Sequence, residues 1–326
     1  MHPFEVLARR GARFEGNERV DDVVALRAGQ DGIEAGRTLR MAVAGHVVEV
    51  PGVRREQYGH QGGGYRHGTV NSVEPPRSGS GRRSRDERDI RVLRTASRSL
   101  RVAPWPADGR TAQLSMVPGV LAPTRDTLRA ALLEAAAAGY ASAVTAALGS
   151  AERPPFTEAG FQPLAWLHLL ERDLVDLPAS PDDGPELGRV RRGDWGTVAA
   201  LDCRAFPPFW HLGKAGIAEA RHATPSNRVR VAVAPSGAIS GYAVSGRSGG
   251  RGFLQRLAVD PDVQARGIGT ALALDGMRWM QSRGATTVLV NTQVDNNRAL
   301  GLYRRLGFRL LDERLAVLGR DLGGVA

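Results

Sequence analysis

The chain has 326 residues, 42% hydrophobic and 24% charged, with a formal net charge of +10, room for one large or two modest domains of an ordinary globular protein. Cys203 is the single cysteine, which excludes an intramolecular disulfide and any cysteine-based zinc site. Lys214 is the one lysine, so nearly all the basic excess is arginine; beside so much Ala, Gly and Val it reads as compositional bias, not a nucleic-acid footprint.

Residues 1–88 read as a poorly ordered, basic N-terminal segment. A hairpin fits 40–50, but 75–88 have almost nothing apolar to bury, so chain entropy keeps them unstructured. The first residues lack a signal-peptide core, and no run of about 18 apolar residues occurs anywhere. The expected location is the cytoplasm, with no membrane or nucleic-acid partner.

Regular patterning starts near Ile90. Strands are predicted at 90–93, 99–103 and 112–116. A helix fits 124–138, with Thr124 or Thr127 as its cap and leucines at 128, 132 and 133. Gly139 stops it, and strands follow at 141–148 and around 165–170. Residues 176–187, rich in Pro and Asp, read as a linker. Then come a strand at 188–193, a helix over 195–205 capped by Asp194, an aromatic loop at 206–212 and a short helix at 216–223. Cys203 reads as packing within that first helix. Strands at 228–234 and 238–244 flank a turn. A buried strand at 253–259, a long helix from about Thr270 to Gly284, a strand at 286–291 and a helix at 296–305 complete the block.

The two halves repeat each other. Helix, Gly139, strand, Phe156 and Phe161 parallel helix, Gly284, strand, Tyr303 and Phe308. A duplicated α/β unit follows, with one unit at 89–178 and the other at 186–326.

Chemistry concentrates at 253–270. A strand, a turn with Gly267 and Gly269, and a helix N-terminus together make an anion site, because the first helical N–H groups lack partners and carry partial positive charge. A Rossmann reading fails, since Leu272 stands where the third glycine of that fingerprint belongs. A P-loop reading fails for want of G-K-[ST].

Gln264, Ala265, Arg266, Gly267, Ile268 and Gly269 fit Q/R-x-x-G-x-G/A, motif A of the GNAT superfamily of acetyl-coenzyme A-dependent N-acyltransferases. Asn296, Ala299, Leu302, Tyr303, Leu306, Gly307 and Phe308 resemble the same family's N-x-x-A-x-x-L-Y-x-x-L-G-F signature. The resemblance spans 189–317. It implies a GNAT fold, a mixed and mostly antiparallel sheet flanked by helices, preceded by a partial, degenerate copy. It also implies acetyl-CoA as co-substrate, with no metal, and transfer of the acyl group to a primary amine by direct attack in a ternary complex. The acceptor is a small-molecule, peptide or protein amine. The alternative is a non-catalytic acyl-CoA-binding or regulatory GNAT-like module.

By the resemblance, Gln264, Arg266, Gly267, Gly269, Thr270 and Asn296 hold the cofactor. Its pantetheine arm pairs with the strand at Leu257 and Val259, which splays there. Tyr303 is the phenol that protonates the departing thiolate. Family members place a glutamate near the start of this strand; here stand Phe253, Leu254, Gln255 and Arg256, so no base is assigned. Phe206, Phe209, Trp210 and His211 are the candidate acceptor-side residues, and the same aromatics read equally as a cap on the core. In the first unit, Phe156 replaces Tyr303 and the glycine turn is missing, so neither cofactor binding nor acid catalysis is expected there.

Overall fold

The computed structural model describes residues 39–43, 46–50, 100–116, 122–179 and 184–323. β1 (Leu39–Val43) and β2 (His46–Val50) form an antiparallel hairpin, as expected for 40–50. The rest of 1–88 and the strand expected at 90–93 lie outside the described residues.

The first unit runs β3 (Leu100–Trp105), β4 (Asp108–Met116), α1 (Arg125–Ala137), β5 (Ser142–Thr145), α2 (Pro154–Glu158) and β6 (Gln162–Asp173). The second runs β7 (Glu186–Arg189), α3 (Trp195–Ala205), α4 (Gly213–His222), β8 (Ser226–Val233), β9 (Ile239–Ser248), β10 (Arg251–Val259), α5 (Ile268–Ser282), β11 (Thr287–Gln293), α6 (Asn297–Arg305) and β12 (Arg309–Asp321). The caps follow from local chemistry. Thr124 accepts from Thr127 N–H, and Asn296 accepts from Ala299 N–H, each satisfying an orphan donor of its helix. Asp194 stands before α3 but accepts from Arg191 N–H instead.

The two units share one ten-stranded sheet, in the order β3-β4-β5-β12-β6-β11-β10-β9-β8-β7. Only β4–β5 and β10–β11 are parallel neighbours. The units exchange their last strands. β6 leaves the first unit to pair with β11, β12 leaves the second to pair with β5, and β6 and β12 pair with each other at the centre. The cores interlock in the same way. Ala316 and Leu318 of β12 pack with Leu128, Leu132, Phe156 and Phe161 of the first unit. Leu170 and Leu174, from the first unit's chain, pack with Met277, Met280, Leu300 and Phe308 of the second. On the other face, Leu167 and Leu169 join Phe253, Leu289, Leu315 and Trp210, because alternate residues of β6 point to opposite sides.

Two aromatic pairs share one geometry. Phe156 and Phe161 meet edge-on at 5.6 Å, and Tyr303 and Phe308 meet at 5.5 Å. In each pair the later residue's N–H donates to the earlier one's carbonyl at 3.0 Å.

Without β6, β11 would become an open edge and Leu170 and Leu174 would leave a hole in the second core. A fragment holding only residues 186–326 is therefore expected to lack a cooperative thermal transition by circular dichroism, whereas the full chain shows one. Cooperative unfolding of the fragment would contradict the interlocked fold.

Candidate active site

The site exists because two parallel strands part. Arg251, Gly252 and Phe253 of β10 pair with Thr287, Val288 and Leu289 of β11, and there the pairing ends. β9 keeps hold of β10 as far as Val259, while β11 continues along β6. The opening thus begins at Leu254, earlier than the expected Leu257. A bulge marks it: Leu254 lies opposite Ser245 and Arg256 opposite Val244, leaving Gln255 as the extra residue. That residue breaks the alternation and sends two neighbouring polar side chains to one face. Gln255 reaches Thr224 just beyond α4, and Arg256 reaches Asp202 in α3.

Into the opening falls a cavity of about 490 Å³. Leu257, Ala258 and Val259 form one wall, Gln264, Ala265, Gly267, Ile268, Gly269 and Thr270 its end, and Asn296, Ala299, Leu302 and Tyr303 the opposite wall. Ala205 and Phe206 close it from α3, and Arg298 and Arg305 stand at its rim, exposed. Among the described residues no carboxylate lines it.

The turn is built for donors. Ala265 (φ 63°) and Gly267 (φ 78°) both have left-handed backbone, and Gly267 leads directly into α5. From Ala265 to Thr270 no backbone N–H has a backbone acceptor among the described residues, and Ala271 N–H is the first to close a helical turn. Gly269 is constrained by space: an added Cβ would sit 3.3 Å from Leu302 Cδ2 across the opening. At Gly267 nothing lies within 4 Å, so only its dihedral demands glycine. The Gln264 side chain is spent locally, donating to Val259 O at 3.1 Å.

Tyr303 is buried on α6, and its hydroxyl has no hydrogen-bond partner among the described residues. Burial pushes its pKa above the ordinary phenol value, and the charge of Arg256 partly opposes the rise. Of the remaining expected site residues, the Arg266 side chain is exposed and outside the lining. Phe209 and Trp210 pack with Trp105 of β3, at 4.9 and 6.5 Å between rings, and Trp105 Nε1–H donates to Phe209 O. His211 Nε2 lies 2.8 Å from Phe206 O. Of the four candidate acceptor-side residues, only Phe206 reaches the cavity.

A buried network went unread in the sequence. Asp202 is fully buried and receives Arg256 Nε at 2.8 Å and Nη2 at 3.0 Å, Tyr242 Oη–H at 2.5 Å and Leu212 N–H at 2.9 Å. The signal was available, since Asp202 shares with Val198 and Leu201 the stripe that α3 buries. Cys203, read as packing, is exposed on that helix because it falls beside this stripe. Arg298 and Arg305, seven positions apart and so on one helix face, were likewise passed over.

Residues 195–308 match the profile of the acetyltransferase (GNAT) family. This segment is a GNAT domain. Among curated relatives, the mycothiol acetyltransferase of Clavibacter michiganensis subsp. michiganensis (strain NCPPB 382) is 35% identical over 125 residues, covering 38% of this chain and 34% of the relative. That of Arthrobacter sp. (strain FB24) is 39% identical over 88 residues, covering 25% and 27%. The match thus spans about a third or less of these relatives' length. A solved tandem GNAT protein from the clavulanic acid biosynthesis pathway, without AcCoA, shares the fold with a TM-score of 0.51 at 17% identity, covering 69% of this chain and 78% of its own.

Two outcomes follow. Gly267→Ala is expected to cost about 1–2 kcal/mol through its left-handed backbone, whereas Gly269→Val should narrow the opening against Leu302 and leave the left-handed turn intact; thermal denaturation and a crystal structure of the variant read the two. Tyr242 and Tyr303 are both shifted upward by burial. A folded-state pKa above the unfolded value gives stability that is complete below about pH 10 and lost as pH rises past it. Alkaline titration should therefore show the thermal midpoint falling only above about pH 10, with tyrosinate absorbance of these two residues appearing together with unfolding.

Proposed function

We propose that the protein is an N-acetyltransferase that moves an acetyl group from acetyl-CoA to the primary amine of a small molecule, by direct attack in a ternary complex. The observation that carries this reading is the single cavity in which a parted strand, a donor-rich turn, a cationic rim and Tyr303 meet. The N–H groups between Ala265 and Thr270, on a helix N-terminus, suit a pyrophosphate, and Arg298 and Arg305 supply cations for further phosphate charge. The unpaired edge of β10 at Leu257 and Val259 suits an amide-bearing pantetheine arm laid alongside as an extra strand. The thioester then lies near the point of parting, beside Tyr303.

Chemistry at that point needs an uncharged amine, which attacks the thioester carbonyl to give a tetrahedral oxyanion. Collapse breaks the carbon–sulfur bond, and the phenol of Tyr303 gives its proton to the leaving thiolate. A free phenol is less acidic than a thiol, about 10 against about 8.5. Burial disfavours the phenolate and a thiolate held in the same cavity alike, so the phenol stays the weaker acid and must regain its proton from solvent after each transfer. Asp202 is no base, being fully engaged by Arg256, Tyr242 and Leu212. With no carboxylate in the lining, the amine reaches the cavity neutral or loses its proton to water.

The first unit we read as a silent copy. Phe156 holds the place of Tyr303 with the same ring partner, and Thr124 caps α1 where Gly267 precedes α5. The mycothiol acetyltransferases among the relatives favour a small-molecule acceptor.

Thiol release from acetyl-CoA, followed over a panel of primary amines, tests the proposal. Turnover is expected for some of them, and Tyr303→Phe should lower it by about 10²-fold with acetyl-CoA affinity retained. A loss below threefold removes the acid role. Tight acetyl-CoA binding with no thiol released for any amine would favour a non-catalytic binding module.

A further inference from the structure

The acceptor-side loop, residues 206–212, has no regular structure beyond one helical turn at Pro208–Trp210, yet its chain is held at several points by one residue from the cofactor strand. Arg256 Nη2 donates to Trp210 O at 2.7 Å, and the guanidinium lies 3.4 Å above the centre of the Phe206 ring. Through Asp202 the same group reaches Leu212 N–H at the loop's far end. Arg256 therefore touches the beginning, the middle and, by one relay, the end of the loop. Its own position is set by the bulge at Gln255, where β10 departs from β11. Without the bulge, strand alternation would turn Arg256 away from α3. A second Arg–Asp pair, Arg204 to Asp260 at 2.5 Å, ties the end of α3 to the residue just past β10.

We propose that Arg256 is a positioning residue that fixes the acceptor-side loop to the strand carrying the cofactor edge. The wall at Phe206 then keeps its place whether or not the nucleotide is bound. The guanidinium is spent on Asp202, Trp210 and Phe206, so it reaches the reaction through the loop. A planar fork is what the site uses: two bonds to one carboxylate, a third to a carbonyl, and a flat face on an aromatic ring. Lysine keeps the charge but supplies neither the fork nor the stack. The inference rests on the acetyltransferase reading only for the word acceptor; the tether itself is present in the chain alone.

Hydrogen exchange followed by mass spectrometry on the full chain tests it, with Arg256→Lys beside the wild type and acetyl-CoA as the probe ligand. Without any ligand, Arg256→Lys is expected to raise exchange across 206–212 about tenfold or more, with exchange in 265–270 unchanged. Acetyl-CoA affinity by calorimetry should stay within threefold of wild type, while Gly269→Val shows the reverse pattern, a protected loop and lost affinity. Equal loop exchange in Arg256→Lys and wild type would overturn the proposal, as would a tenfold loss of acetyl-CoA affinity with the loop unmoved. If wild type fails to bind acetyl-CoA, the functional reading falls, while the ligand-free comparison still decides the role of Arg256. Should Arg256→Lys not fold, Arg256→Met with Asp202→Asn serves in its place: it leaves no unpaired charge, keeps an acceptor for Leu212 N–H, and should loosen the loop in the same way.

Discussion

A buried ion pair decides how this site can be open and still be rigid. Arg256 and Asp202 are taken out of water almost completely, a state that is tolerable only when every polar atom finds a partner. Here the carboxylate collects four hydrogen bonds and the guanidinium bonds to both the carboxylate and a carbonyl. Losing either charge would strand the other at a cost of about 3–5 kcal/mol. The pair joins α3, the 206–212 loop and β10 at the level where β10 gives up its bonds to β11. Strand separation exposes backbone groups that would otherwise be paired, and the network on the other face keeps the freed strand from wandering. A cleft with unpaired edges and a fixed shape is the result.

The second constraint is the exchange of strands between the units. β11 is the strand from which β10 parts, and it is backed by β6 rather than by a strand of its own unit. The first unit thus backs the strand from which β10 parts. It also reaches the 206–212 loop and α4 directly: Trp105 packs on Phe209 and Trp210, and Arg101 pairs with Glu219 of α4 at 2.6 Å. Residues 100–173 thus supply a central strand, part of a core and a clamp on a loop.

Much of the fold was legible because its signals are local. The ends of α3 fall at Trp195 and Ala205 as expected although Asp194 does not cap it, Thr124 marked a helix start through its own side chain, and the glycines at 267 and 269 announced a turn followed by a helix. The exchange of β6 and β12 was not legible, since both strands carry the alternation of any half-buried strand and nothing local states which neighbour each will choose. The bulge at Gln255 was hidden for the same reason: one extra residue in a run of Phe253, Leu254, Gln255, Arg256 and Leu257 leaves no mark until the register with β9 is known. Asp202 and Arg256 lie 54 positions apart, so their union is a property of packing. The aromatics of the 206–212 loop show the converse limit, because Phe206 on the cavity and Trp210 in the core have the same appearance in the sequence.

In the proposed reading the parted strand and the turn that follows it form one cradle for a coenzyme A thioester. Hydrogen exchange of the full chain with and without saturating acetyl-CoA measures this directly. Ligand should slow exchange at Leu257 to Val259 and at Ala265 to Thr270 together, and leave the start of α1 after Thr124 unaffected. Slowing confined to other parts of the sheet, or no slowing at the turn under saturating ligand, would contradict it.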